Sequence, residues 1–272
     1  MERIAALITC YNRAAVTLLC LESLQKERDL LKKRDVDVDV WLVDDGCTDE
    51  TVTQVRERFK DVNIVTSPGN LFWTRGMRLA WESAMASQNN YDYYLWINDD
   101  VQLKEGAIGN LLDDYTKCGG VVVGTFSPDK SENEVSYGAT NTKPSGYPRV
   151  GTAGMNGNLV LIPRNVCEDV GLIYNGYCHQ YGDYDYGWMI RKRGFEYYSS
   201  SQFSGICPEQ PERYHHLKGR SLFGRLRLLW SPKGYCLHDA FVYRRRWNGL
   251  LRAILSAFHI IIIVVLGMEV KK

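Results

Sequence analysis

The fold is decided by the stretch IAALITCYNR at residues 4–13, in which a short apolar run ends in a polar turn. Residues 4–9 have the length and apolar character of a buried strand. The helical pattern that follows places Leu18, Leu21 and Leu24 on one face, and a second apolar run comes after it at residues 38–43. Strand, helix and strand in this order predict two parallel strands with the helix packed on the sheet.

The same alternation continues along the chain and defines its fold class. We predict an α/β fold with a mostly parallel central sheet and helices on both faces. The predicted strands are residues 4–9, 38–43, 63–66, 93–97 and 121–125, with later candidates at 158–162 and 196–199. The predicted helices are residues 14–33, 49–59, 74–87 and 105–115. Residues 127–154, rich in Ser, Gly, Pro and Asn, are predicted to form a long loop.

Charge is distributed unevenly along the 272 residues, although the net charge is only +1. Residues 213–272 contain twelve Lys and Arg against two Asp and Glu, a net charge of +10, which leaves −9 for the first 212 residues. Within this basic end, residues 253–268 carry no Asp, Glu, Lys or Arg.

An uncharged run of this length falls short of the roughly 20 residues that a membrane-spanning helix needs. We therefore predict a domain at residues 1–221 and a helical tail at 222–272 that associates with an anionic membrane surface. A C-terminal element packed on the domain is the alternative. Nucleic acid binding is not expected, since no recognised module accompanies the basic charge.

Cysteine usage and the first residues bear on the compartment. The eight cysteines are scattered singly without C-x-x-C spacing, which excludes zinc ribbons and thioredoxin-like motifs and favours reduced thiols. The apolar run at residues 4–9 is too short for a signal peptide, so we do not expect export.

Polar side chains follow three of the predicted strands, at the edge of the sheet where α/β proteins bind ligands. The first group lacks the glycines of a P-loop or a dinucleotide fingerprint. The second is equally compatible with hydrogen bonds to a nucleotide and with a turn and helix cap. In the third, two adjacent carboxylates repel each other, which predicts a bound Mg²⁺ or Mn²⁺. The groups are Thr9, Tyr11, Asn12 and Arg13; Asp44 and Asp45; and Asn98, Asp99 and Asp100.

A fourth cluster, YGDYDYG at residues 181–187, leads into a helical pattern. A carboxylate at a helix N-terminus, whose charge the helix dipole supports, is suited to act as a general base. A simple N-cap is the alternative reading.

Taken together and in this order, the four clusters resemble the family 2 glycosyltransferases of the GT-A fold, over about residues 4–200. The resemblance implies an inverting, metal-dependent enzyme that moves a hexosyl or deoxyhexosyl group from a UDP- or dTDP-sugar to a hydroxyl of a lipid-linked or cell-envelope saccharide. It implies Mg²⁺ or Mn²⁺ as the cofactor. With the basic tail, it implies a cytoplasmic enzyme that is peripheral on the inner face of the cell membrane.

The resemblance also assigns roles to individual residues. Asp100, with Asp99 beside it, is the expected metal ligand, and Asp183 takes the position of the catalytic base, with Asp185 as the other candidate. Gly182 stands where the family has Glu. The donor would be bound by Thr9, Tyr11, Asn12, Arg13, Asp44, Asp45, Asn98 and Asp99, and by Trp73 and Arg75 of the stretch NLFWTRGMR at residues 70–78, with Arg75 on the base or the diphosphate. Residues 157–161 and 174–186 would line the acceptor side, and His215, His216 and His238 are candidates for a further metal ligand.

Two other functions stay open at this stage. A sugar-1-phosphate nucleotidyltransferase would need a glycine-rich loop after the first strand, which this chain lacks. A catalytically inactive, nucleotide-binding scaffold subunit of a membrane polysaccharide assembly is kept open by Asn98 in the metal motif and by Gly182.

Overall fold

The computed structural model describes residues 1–152, 154–208 and 217–268. The strands are β1 Glu2–Cys10, β2 Val36–Asp44, β3 Asn63–Thr66, β4 Tyr93–Ile97, β5 Gln102–Leu103, β6 Val121–Ser127, β7 Arg149–Val150, β8 Leu159–Pro163 and β9 Tyr197–Ile206. The helices are α1 Ala14–Lys32, α2 Thr51–Arg58, α3 Phe72–Ala86, α4 Ala107–Cys118, α5 Arg164–Val170, α6 Gly182–Lys192, α7 Leu222–Trp230, α8 Leu237–Asn248 and α9 Leu250–Leu266.

These strands form one sheet in the order β3-β2-β1-β4-β8-β6-β9-β5, and β7 pairs with β9. The predicted parallel pairing is present throughout β3-β2-β1-β4 and between β6 and β9. Strand β8 lies between β4 and β6 and is antiparallel to both. The carboxyl ends of β1, β2 and β4 therefore meet at one edge of the sheet, where their polar turns come together.

Most predicted elements lie within a few residues of their observed bounds, and the largest difference is in β9. The sequence predicts a strand over residues 196–199, and a run of three serines begins at its last residue. The strand continues to Ile206 because the buried Ser200 hydroxyl accepts the Thr125 N–H of β6 at 2.9 Å, replacing a backbone carbonyl in the ladder.

Helices cover both faces of the sheet, which explains why β1 is apolar without alternation. Residues 4–8 are fully buried. Ile4, Ala6 and Ile8 pack on one side with the predicted face of α1, and Ala5 and Leu7 pack on the other side with α3. The predicted two-sided cover is thus confirmed.

The C-terminal helices have a small core of their own, formed by Leu217, Leu229, Ile263 and Val264. Helix α9 has 17 residues. Within the described ranges, no helix combines the length and the apolar character needed to cross a membrane.

Candidate active site

Arg13 joins the polar turn after β1 to the two carboxylates after β4. Its Nη1 donates to Asp99 Oδ1 at 2.8 Å and its Nη2 to Asp100 Oδ2 at 2.9 Å. Thr17 Oγ1 donates to the other oxygen of Asp99 at 3.3 Å. Burial, followed by the charge of Asp100, raises the pKa of Asp99 to about 6, although the Arg13 charge opposes this. The predicted repulsion between the carboxylates is therefore relieved, in this structure, by an arginine.

The donor set at this place fits a hard divalent cation at Asp100. Carboxylate oxygens are the ligands that Mg²⁺ and Mn²⁺ prefer. Asp99 is directed into the protein, with only 7% of its side chain exposed, whereas Asp100 is 15% exposed. A cation on Asp100 would have to share this carboxylate with Arg13 and complete its coordination with oxygens of a ligand and with water.

Asn12 fastens the turn after β1 to the turn after β2. Its backbone lies in the left-handed region at φ 49°, and its Oδ1 accepts the N–H groups of Thr48 at 2.7 Å and Asp49 at 3.2 Å. The neighbouring Tyr11 is 48% exposed, so its ring is available for stacking. Thr9 lies against Gly76, where a Cβ would come within 2.4 Å of the Thr9 hydroxyl, so a glycine at 76 lets α3 approach β1.

The two aspartates after β2 have different surroundings. Asp45 is used by the protein itself: its oxygens accept the N–H groups of Leu71 and Phe72 at 2.9 Å each, and the Ser67 hydroxyl at 3.0 Å. It therefore anchors the start of α3, 26 residues later in the chain, which is neither of the two roles that the sequence left open for it. Asp44 accepts the Cys47 N–H at 2.7 Å.

The contacts of Asn98 show why an amide precedes Asp99 and Asp100. Its Oδ1 accepts Trp73 Nε1 at 2.6 Å, and its Nδ2 donates to Asn158 Oδ1 at 2.5 Å. A carboxylate at this position could accept the first bond but could not donate the second. Asn98 and Trp73 thus brace β4 against the segment before β8.

Asp183 lies in the first turn of α6, next to this brace. Its Oδ2 accepts the Gly157 N–H at 2.9 Å and its Oδ1 accepts the Tyr184 N–H at 2.8 Å. A Cβ at Gly157 would lie 2.4 Å from the Trp73 ring and 3.3 Å from Asp183 Cβ, so the three residues are in immediate contact. Burial raises the pKa of Asp183 to about 6. Part of the residue still reaches solvent.

Asp185, the other candidate for the base, has a different role. It is fully buried, and Arg246 of α8 forms an ion pair with it, with Nε at 2.8 Å from Oδ1 and Nη2 at 3.2 Å from Oδ2. Tyr177 and Trp247 also donate to Oδ1, at 2.8 and 2.5 Å. With its oxygens engaged inside the protein, Asp185 is placed to hold α6 against α8 rather than to accept a substrate proton.

Gly182, which replaces the expected Glu, is explained by close packing. A Cβ there would lie 2.6 Å from the Thr74 hydroxyl of α3. The chain therefore lacks space for a glutamate at this position, and the carboxylate of the cluster that faces the brace is Asp183.

Arg75 differs from the expectation. Its Nε donates to the Tyr177 carbonyl at 3.2 Å, and its Nη2 contacts Cys178 Sγ. The side chain therefore engages the loop before α6, and a contact with a donor base or diphosphate would require Arg75 to leave these partners.

His179 is a site residue that sequence reasoning missed. Its Nδ1 accepts the Trp73 N–H at 3.4 Å at the start of α3, and its ring lies 5.9 Å from that of Phe72. Burial lowers the pKa of His179 to about 4, so the ring is neutral at pH 7. The only sequence feature that pointed to His179 was its position four residues before Asp183. A lone histidine in a tyrosine-rich loop does not show which residues it contacts.

Of the three predicted histidine candidates, His215 and His216 lie outside the described residues. His238 Nδ1 lies 3.0 Å from Asp239 Oδ1, and Cys178 completes a group whose potential ligand atoms lie within 4.8 Å of one another. Asp239, however, accepts the backbone N–H groups of residues 178–180 at 2.9–3.1 Å. The group therefore serves as an anchor between α8 and the loop before α6.

The fold and these clusters define a class of protein: a GT-A glycosyltransferase, with polar turns at the carboxyl edge of a mixed sheet and an acidic helix start beside them. Solved structures of this class resemble the chain. The mannosyltransferase PcManGT from Pyrobaculum calidifontis, in complex with GDP-Man and Mn²⁺, has a TM-score of 0.55 and 15% identity, covering 98% of this chain and 76% of that one.

S. aureus TarS is also similar. TarS 1–349 in complex with UDP-GlcNAc has a TM-score of 0.56 and 12% identity, covering 97% of this chain and 82% of that one. In a longer TarS structure, with a TM-score of 0.58 and 11% identity, the chain covers 43% of the relative. No curated protein sequence matches at a significant level.

The sequence profile of Glycosyl transferase family 2 matches residues 5–167, more than half of the chain. The protein belongs to this family, as the sequence clusters predicted.

Proposed function

We propose that the protein transfers a sugar from a nucleotide-diphosphate sugar to a hydroxyl of a saccharide acceptor, with inversion at the anomeric carbon and Asp183 as the general base. The observation that carries the proposal is the place of Asp183. It lies in the first turn of α6 and accepts the N–H of Gly157, which packs against the Trp73 ring of the Trp73–Asn98 brace. Asn98 is followed directly by Asp99 and Asp100. The proposed base, Asp183, is thus linked through Gly157, Trp73 and Asn98 to the carboxylates that are proposed to act on the diphosphate side.

The environment of Asp183 suits a base that works near neutral pH. A pKa of about 6 leaves roughly nine-tenths of the carboxylate ionised at pH 7 while keeping it basic enough to accept a proton. The N–H groups of Gly157 and Tyr184 orient the carboxylate.

The proposed step is a single displacement. The acceptor oxygen bonds to the anomeric carbon while the bond from that carbon to the diphosphate oxygen breaks. The electron pair of the broken bond leaves with the nucleoside diphosphate, and the hydroxyl proton goes to Asp183. Arg13 is placed to bind the diphosphate, which also needs the charge neutralisation that Mg²⁺ or Mn²⁺ would supply when bound, with Asp100 as the residue to hold the ion.

A thermal-shift titration tests the donor half of the proposal. UDP, dTDP and GDP are each added with and without Mn²⁺, because a ligand that binds the folded state stabilises it by about 2.7 kcal/mol at a hundredfold excess over its Kd. The panel includes GDP and UDP because the similar structures contain GDP-Man and UDP-GlcNAc. We expect one nucleotide to raise the Tm, more so with Mn²⁺, and the Mn²⁺ effect to disappear in Asp100→Ala.

Asp113→Ala is the matched control, because Asp113 is an exposed α4 carboxylate paired with Arg34. No shift with any nucleotide, or an equal loss in both variants, would contradict the donor site.

The second candidate, a nucleotide-binding scaffold without catalysis, is favoured by one observation: Arg13 engages both carboxylates of the metal motif. A scaffold of this kind would show a higher Tm with nucleotide, while the wild-type protein would consume no donor sugar.

A further inference from the structure

An apolar surface runs along the outer side of the C-terminal helices. On α9, Leu251, Leu255, Phe258 and Ile262 follow one another at spacings of four and three residues, and they are 71%, 60%, 60% and 51% exposed. Spacings of this kind place side chains on one face of a helix. The opposite side of α9 packs inward through the buried Ala253 and Val264. We call the four exposed residues the α9 face.

Helix α7, which packs against α9, also carries exposed apolar side chains. Phe223 and Trp230 are 81% and 71% exposed, and they lie seven residues, or about two turns, apart. Large apolar side chains that are exposed singly are ordinary, but a contiguous patch of them marks a surface that meets another apolar phase.

The segment that carries this surface is strongly basic. Residues 217–268 contain nine Lys and Arg and one acidic residue, Asp239, which is fully buried. Among the described residues, no carboxylate pairs with the exposed Arg227, Arg245 or Arg252. Arginines beside an apolar helix face are complementary to anionic headgroups above an acyl layer.

We infer that the α9 face and the basic residues around it form the surface by which the protein binds an anionic lipid bilayer, with α9 lying in the plane of the membrane. The positive charge of this surface favours an anionic bilayer over a second copy of the chain as its partner. Two copies would bring like charges together, whereas an anionic bilayer neutralises them. At about 1.5 Å per residue, the 17 residues of α9 extend about 26 Å, less than the roughly 30 Å of a bilayer core. One side of the helix also packs on protein, so only its exposed face is free to contact lipid, which favours an orientation in the membrane plane.

Helix α8, which precedes α9, holds the loop before α6 and so links the surface to the site. Asp239 of α8 accepts the backbone N–H groups of residues 178–180. Tyr243 stacks on Tyr181 at 4.8 Å and accepts Trp188 Nε1 at 2.9 Å. A protein bound through α9 would therefore hold Asp183 in a fixed relation to the bilayer. Resting on the proposed function, the inference assigns the acceptor to saccharides carried on a membrane lipid.

Vesicle co-sedimentation of the full chain, without donor or acceptor, tests the inference. The probes are vesicles of phosphatidylcholine alone and of phosphatidylcholine mixed with phosphatidylglycerol. We expect binding to the anionic vesicles that weakens with added salt, and much weaker binding to the neutral ones.

The double variant Leu255→Glu/Phe258→Glu should reduce the partition coefficient at least tenfold, because two buried side chains are lost from the bilayer. Leu19→Glu is the control: Leu19 is a 47% exposed leucine on α1, far in sequence from this surface. The Tm of each variant confirms that it is folded. Arg244→Gln/Arg245→Gln should weaken binding and flatten its salt dependence.

Equal binding to both vesicle types, or unchanged binding of Leu255→Glu/Phe258→Glu, would overturn the inference. So would a dimer in light scattering that the same variant dissociates, because the occupant would then be a second copy. Vesicle binding does not use the catalytic site. Normal binding without any donor turnover would therefore refute the proposed function alone, and turnover without binding would refute the membrane surface alone.

Discussion

At the scale of single residues, the pKa of Asp183 makes the first prediction. Because burial raises that pKa to about 6, the proposed general base is protonated below pH 6 and ionised above it. We expect kcat/KM to rise tenfold per pH unit below about pH 6 and to level off above it, measured from pH 4.5 to 8.5. A profile that is flat from pH 5 to 7 would mean that another group, or none, accepts the proton.

Arg13 makes the second prediction, which concerns the metal. Arg13→Met removes one positive charge from beside Asp99 and Asp100, so the affinity for Mn²⁺ should rise by about tenfold. The measurement is a Mn²⁺ titration followed by electron paramagnetic resonance at pH 8, where Asp99 is ionised. Arg34→Met, at an exposed ion pair on α4, is the control. Weaker Mn²⁺ binding in Arg13→Met would show that Arg13 positions the carboxylates instead of competing for them.

The sequence could locate these residues but could not assign their partners. Asp99 and Asp100 were predicted at a strand end because the apolar run of β4 stops there. Their contact with Arg13, more than 80 residues earlier, depends on how β1 and β4 pair, and spacing carries no such information. For the same reason the sequence left Asp183 and Asp185 open as alternatives. Arg246, which occupies Asp185, comes from α8, 61 residues later.

At the scale of elements, the Asp185–Arg246 pair is predicted to hold α6 on α8. Arg246→Met leaves a fully buried carboxylate without its counter-charge, and we expect a loss of about 3 kcal/mol in the free energy of unfolding, the low end of the usual range because 29% of the Arg246 side chain is exposed. Urea unfolding of the wild type and of Arg246→Met measures this difference in the free energy of unfolding. Arg245→Met, one residue away and exposed, should cost less than about 0.5 kcal/mol. Equal effects of the two variants would contradict the structural role of the pair.

The anchor at Asp239 makes a prediction about pH. Backbone N–H groups of the loop before α6, together with His238, hold the pKa of Asp239 below its usual value, although burial alone would raise it. A lowered carboxyl pKa stabilises the fold above about pH 4 and ceases to do so as pH falls through the folded-state value. Asp239→Asn should therefore cost about 2 kcal/mol at pH 7 and progressively less toward pH 3. A difference in Tm that stays constant over this range would refute the anchor.

The sequence predicted the bounds of strands and helices well where a local apolar pattern defines them. The runs at residues 63–66 and 93–97 match β3 and β4 residue for residue. The antiparallel insertion of β8 and the extension of β9 through its serines could not be predicted, because both depend on neighbouring strands rather than on local pattern. The helix predicted at 49–59 starts at Thr51 because Asp49 accepts the Thr51 N–H at 3.0 Å in the turn.

At the scale of the whole molecule, two parts are joined that the sequence treats separately. The negative first part supplies the sheet and its polar edge, and the basic end supplies α8, which holds the loop before α6. The boundary predicted at residue 221 remains a prediction, and the contacts of Asp239 and Arg246 make α8 a working part of the site. Charge asymmetry predicts a tail with an anionic partner, but it could not indicate that this tail also contacts residues 178–180 and Asp185 on either side of Asp183.

Catalysis by Asp183 is best tested by following the release of nucleoside diphosphate from UDP-, GDP- and dTDP-sugars in Mn²⁺, with water or added saccharide as the acceptor. Wild-type protein, Asp183→Asn and the control Asp113→Asn are compared. We predict turnover with one donor class, a loss of about 10² to 10⁴ in kcat for Asp183→Asn with an unchanged nucleotide-induced Tm shift, and no loss for Asp113→Asn. Turnover by Asp183→Asn at the wild-type rate would contradict the account.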